Sequence, residues 1–235
     1  GAFGENLDIL LNFSGTVHTN AGSYPGDAWI FAGDANHLAT GGTITDNISK
    51  ATAICTTTGY DVPYDGASHT ATGACLGVVQ DTLAGLDLSL TTHTAANNYP
   101  SDPWTFTDVT GNYNNASGTV ADNISQSTGV TCTVTGFSGV YDGAPHGATG
   151  SCLDVAGAPV AGLVIDPTTY TNVSGGLVHW VFTNANYVTQ SGDATVTITK
   201  ATPVCTVTGY NVMYDGAPHT ATGACLGVVQ DTLAG

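Results

Sequence analysis

Apolar residues along this chain come in short runs that alternate with threonine, serine or glycine. The runs "TAICTTT", "HTATGACLGVV", "LDLSLTT", "WTFTDV" and "GTVADNI" follow one another between Thr52 and Ile124, separated by Gly, Asn and Asp. A period of two in β-branched residues, bounded by turn formers, predicts strands. Long stretches with apolar residues three and four apart are missing, so helices have little to form from. The pattern predicts an all-β chain whose modules hold about six or seven short strands, a β-sandwich of immunoglobulin type.

The pattern also repeats. Cys55, Cys132 and Cys205 are each followed 20 residues later by Cys75, Cys152 and Cys225, and Trp29, Trp104 and Trp180 recur at the same place in a unit of about 75 residues. Residues 51–126 and 127–200 are each read as a complete module, arranged in single file. Residues 1–50 hold the second half of a module, with Trp29 and the closing run "GGTITDNISK". Residues 201–235 hold only the first half, "ATPVCTVTGYNVMYDGAPHTATGACLGVVQDTLAG". Each end supplies what the other lacks. A half sandwich leaves an apolar face and strand edges open, so a cover is expected: the head of a neighbouring copy, or covalent continuation in a longer chain. The chain opens on Gly1 rather than on a leader, which fits a processed chain or a window from a longer one.

Charge narrows the partners. The formal net charge is −16, with Lys50 and Lys200 as the only basic side chains besides histidine, so nothing on the surface can neutralise a phosphate backbone. Nucleic acid and anionic membrane are therefore excluded, and no stretch is long and apolar enough to span a bilayer. Every acid except Glu5 is aspartate, which suits turns and loops. Such carboxylates can also collect calcium, and Asp46 and Asp122 near the junctions are the candidates for it.

Six cysteines at one repeated spacing, with no CxxC, predict three local disulfides, Cys55 with Cys75, Cys132 with Cys152, and Cys205 with Cys225, and hence an extracellular or cell-surface location. Between each pair stands Y-D-G-x-x-H: Asp65 and His69, Asp142 and His146, Asp215 and His219. The Asp-Gly step predicts a tight turn. Metal ligation is the alternative, although one carboxylate and one imidazole fall short of the three or four ligands of a stable zinc site.

The combination "KATPVCTVTGYNVMYDGAPHTATGACLG", Y-D-G-x-x-H and a closing "TVTITKA" resembles the MBG or YDG-type immunoglobulin-like repeats of large bacterial surface and secreted proteins. The resemblance covers both full units and both half units, and implies tandem extracellular modules used as stalks, adhesin shafts or fibres. The cysteine pair departs from the common pattern.

Trp29, Trp104 and Trp180 are read as core residues, with sugar stacking as the alternative. Tyr113 and Tyr187 resemble a tyrosine corner, with His37 in that place in the first half. Asn12, Asn47, Asn115, Asn123 and Asn172 are sequons open to glycosylation. No catalytic motif is present, so an enzyme is not expected. An isopeptide bond would need a buried lysine, and Lys50 and Lys200 lie at junctions. The expected function is mechanical: a repeat or subunit of an extracellular microbial filament or giant surface protein. An adhesin module recognising glycan or another cell is the alternative.

Overall fold

The computed structural model describes residues 4–228 and is all-β. Residues 1–3 and 229–235, including the chain ends Gly1 and Gly235 and the last part of the second half-module, lie outside the described residues. The chain divides into two compact units, Gly1–Ser125 and Gln126–Gly235.

In the first unit, β1 (Leu11–Asn12), β2 (Gly22–Phe31) and β3 (Thr40–Ile48) form an antiparallel meander. This is the head half. A complete module, A, follows in the same unit. Its strands are β4 (Ala51–Thr52), β5 (Ile54–Thr58), β6 (Asp61–Pro63), β7 (Thr72–Leu76), β8 (Thr82–Leu83), β9 (Leu86–Asp87), β10 (Asn97–Phe106), β11 (Tyr113–Asn114) and β12 (Ala116–Ser125). They build a four-stranded sheet in the order β6-β12-β10-β9, a three-stranded sheet β5-β7-β8 and a parallel pair β4-β11. Ala53, Cys75, Leu83, Phe106 and Tyr113 make the core between them.

The second unit holds module B: β13 (Val130–Gly136), β14 (Ser138–Val140), β15 (Ala148–Asp154), β16 (Leu163–Ile165), β17 (Ser174–Asn184) and β18 (Tyr187–Thr199). A four-stranded sheet β14-β18-β17-β16 stands with the pair β13-β15, over one apolar cluster at Val130, Cys152 and Phe182 and another at Val178, Val196 and Ile198. The tail half follows as a hairpin of β19 (Val204–Thr208) and β20 (Thr222–Leu226). Among the described residues no helix is long and apolar enough to cross a membrane.

Alternation explains which side chains point inward. Along β10, Asp102, Trp104 and Phe106 share the core face, and so do Asp27, Trp29 and Phe31 along β2. A register shift between Tyr99 and Asp102, repeated between Pro25 and Asp27, precedes that inward run in both strands. Each tryptophan is half-buried and lies over a glycine of the neighbouring strand: Trp29 over Gly42, Trp104 over Gly118, Trp180 over Gly192. A Cβ on Gly118 would stand 2.7 Å from the Trp104 ring. Replacing Gly118 with valine should therefore displace the indole and lower module A's thermal midpoint, at a cost of about 1–3 kcal/mol.

Candidate functional site

Each Y-D-G-x-x-H motif folds as the same turn. Asp65 Oδ1 accepts the Ala67 N–H at 2.8 Å and faces His69 Nε2 at 3.0 Å. Asp142 holds Ala144 and His146, both at 2.9 Å, and Asp215 holds Ala217 and His219, again at 2.9 Å. The following glycine has positive φ each time, 82° at Gly66, 78° at Gly143 and 74° at Gly216, which a side chain would strain. The backbone N–H, then the imidazole, hold all three carboxyls below the usual aspartate range. Carboxylate and imidazole satisfy each other inside one turn, and no third donor joins them among the described residues.

A second constellation lies deeper, and sequence reasoning did not find it. In module A, Asp122 is 1% exposed in β12, with its Oδ1 accepting the Tyr60 N–H at 3.0 Å. Its Oδ2 is buried without a hydrogen-bond partner. Asp102, from β10, is bound by His93 Nε2 at 2.7 Å, and the His93 ring stacks on Tyr99 with centroids 3.6 Å apart. Burial, reinforced by the neighbouring Asp102 carboxylate, raises the Asp122 carboxyl above its ordinary value, with the Tyr60 N–H acting against it. Burial first, then the charges of Asp122 and Asp102, pushes the Tyr60 phenol up to about 12. Gly59 permits this approach: a Cβ there would collide with the Ala121 carbonyl and Asp122 Oδ1.

The head half carries the same set. His18 Nε2 lies 2.6 Å from Asp27 Oδ2, the His18 ring stacks on Tyr24 at 3.5 Å, and Asp46 occupies the place of Asp122. One donor atom from each of His18, Asp27 and Asp46 lies within 4.8 Å of the other two, and all three residues are half-buried. Asp46 and Asp122 both point inward from a strand beside another acid rather than outward from a linker.

Module B replaces the whole layer. Phe137 stands where Tyr60 does, Tyr170 where His93 does, Val178 where Asp102 does and Val196 where Asp122 does, as the paired registers require. Val178 and Val196 are 0% and 1% exposed. One fold thus accepts a polar and an apolar version of the same interior.

The two halves expose what module A covers. Residues 201–235 differ from 51–85 only at Pro203, Val204, Val207, Asn211, Met213 and Pro218. Yet Tyr210 is 57% and Tyr214 98% exposed, whereas Tyr60 and Tyr64 are half-buried. Asn211–Met213 belong to no strand, whereas the equivalent β6 pairs in parallel with β12. In the head, Ile48 is 37% exposed, and its counterpart Ile124 is 1%.

The remaining predicted residues fall as follows. The cysteines form the three local disulfides, each between directly opposed residues of an antiparallel pair with Cα atoms 3.9–4.0 Å apart. The tryptophans are half-buried, each packed over a glycine of the neighbouring strand. Tyr113 is buried with its hydroxyl accepting the Val78 N–H at 3.1 Å, and the loop before it is pinned by Asp108. Although partial burial acts the other way, the N–H groups of Tyr113 and Thr110 hold the Asp108 carboxyl down at about 2. Tyr187 packs edge-on to Phe182, and His37 is taken up by Asp34 and Glu5. Asn12, Asn47, Asn115 and Asn172 are exposed, whereas Asn123 is half-buried and donates to Asp61 at 2.7 Å. Lys50 and Lys200 are exposed, so neither has the burial an isopeptide bond needs. No protein-family model matches any part of the chain, and no curated protein matches it.

Proposed function

We propose that the chain is a structural repeat or subunit of an extracellular microbial filament or giant surface protein, built from immunoglobulin-like modules of the MBG or YDG type. The tail half of one copy completes the head half of the next. The observation that carries this reading is that the two halves are pieces of module A and leave open the faces that module A closes. Module A also supplies the register of the joint. Asp61, Val62 and Pro63 run parallel to Asn123, Ile124 and Ser125, so Asn211, Val212 and Met213 run beside Asn47, Ile48 and Ser49 of the neighbour. Thr91 Oγ1 accepts the Ala71 N–H, and Thr16 takes the Ala221 N–H in the same way. The chemistry of the two ends is matched: the head has the polar layer, and the tail carries Tyr210, not phenylalanine. The disulfides fit an oxidising location outside the cytoplasm.

The test is assembly of the purified chain, followed by sedimentation and electron microscopy. Ile48→Asp should weaken association at least about thirtyfold, since it forfeits roughly 2 kcal/mol of apolar burial before any cost of the charge. Asn47→Cys together with Asn211→Cys should give a ladder of disulfide-linked oligomers on a non-reducing gel. A wild-type chain that stays monomeric at high concentration, with no ladder from the double variant, would refute the reading.

A further inference from the structure

A joint with the geometry of module A brings more than apolar surface together. In module A the Tyr60 N–H, the Asp102 carboxylate and the His93 imidazole surround Asp122, and Asp122 Oδ2 has no hydrogen-bond partner. A buried carboxylate in that position leaves an acceptor unsatisfied beside a second negative charge. A protonated carboxyl offers Asp102 a donor and removes the repulsion. In the head, His18 and Asp27 are already covered as far as His93 and Asp102 are in module A, and Asp46 beside them is the member that stays more open than its counterpart Asp122. The groups around Asp46 are His18 and Asp27 from the head, with Tyr24 opposite it in register and its hydroxyl given to the Asn20 carbonyl, and from the arriving tail the Tyr210 N–H and phenol. His219, whose counterpart His69 pairs with His93 through the backbone, is held on its own turn by Asp215. None of these except His18 can neutralise a second carboxylate.

We infer that closing the joint buries Asp46 under Tyr210, beside the His18 and Asp27 pair, and takes up a proton, so that assembly strengthens in acidic surroundings and loosens as they become neutral. The inference rests on the head-to-tail reading above. The sign follows from linkage: the closed state binds more protons than the open one, so its advantage is complete at low pH. It is lost as pH rises from the ordinary aspartate range through the higher value of the closed joint. One proton per joint means that the association constant falls by up to about tenfold per pH unit across that window.

The experiment is sedimentation of the full-length chain from about pH 4.5 to pH 8 at fixed salt, because uptake of one proton sets the slope. Asp46→Asn, which mimics the protonated carboxyl, should polymerise at neutral pH as the wild type does in acid, and its association constant should be flat with pH. Asp166→Asn removes an equal charge from an exposed site in module B and should leave the wild-type slope intact, which separates the cluster from the general easing of repulsion. Wild-type polymers that Ile48→Asp disrupts but whose association constant does not change with pH would overturn the proton and leave the joint standing. Assembly that requires added calcium at fixed pH, and is lost on chelation, would put a cation in the cluster and overturn it too. A chain that never assembles would instead sink the joint itself.

Discussion

Replacing Cys132 and Cys152 together with alanine should lower the stability of module B by about 3 kcal/mol, the chain-entropy value for a closed loop of this size. For a module of this length that corresponds to a fall of roughly 12–24 °C in the unfolding midpoint. The loss has a clear place to act. The pair joins β13 to β15, and Cys152, 2% exposed, belongs to the cluster of Val130 and Phe182. Two strands rich in Thr, Gly and Ala have little large apolar surface with which to hold their register, and a cross-link between opposed residues prevents a slip. Calorimetry of the double variant beside the reduced wild type is the check. Equal midpoints for oxidised and reduced protein would show that packing alone holds the hairpin.

The second large effect has the opposite sign. Module A rewritten with the interior of module B, through Tyr60→Phe, His93→Tyr, Asp102→Val and Asp122→Val, should become more stable at neutral pH by about 1–4 kcal/mol, because a buried charged cluster is exchanged for packed side chains. Asp102→Val alone should destabilise, since it strands the His93 ring and leaves Asp122 without its neighbour. The raised Asp122 carboxyl sets the pH profile. Its penalty is absent below the ordinary aspartate value and grows as pH rises towards the folded-state value, so the gap between variant and wild type should widen as pH rises above the ordinary aspartate range. Hydrogen exchange of the β12 amides reads module A without interference from module B.

Much of this architecture is legible in the chain itself. The cysteine spacing defines the hairpins, and the Asp-Gly step marks their turns, because both are local and depend on one residue type. The acid layer is hidden, for a physical reason. In a chain whose acids are nearly all aspartate, Asp102 and Asp122 look like loop residues. Their meaning lies in strand parity, with Asp102 two residues before Trp104 and Asp122 two before Ile124, all on the inward face. Setting "TVADNIS" against "DATVTIT" in the next module, where valine stands for Asp122, is the signal that would reveal them. The tryptophans are ambiguous for a similar reason, since only the pairing of strands brings each indole over a cross-strand glycine.

The scarcity of basic residues also decides how the molecule meets proteases. Lys50 is exposed between β3 and β4, and Lys200 is exposed between β18 and β19, with no other lysine and no arginine in the chain. An enzyme that cuts after basic residues therefore has two places to act, one where the head half meets module A and one where module B meets the tail half. Its digest would release both ends and leave residues 51–200 as one fragment with both complete modules.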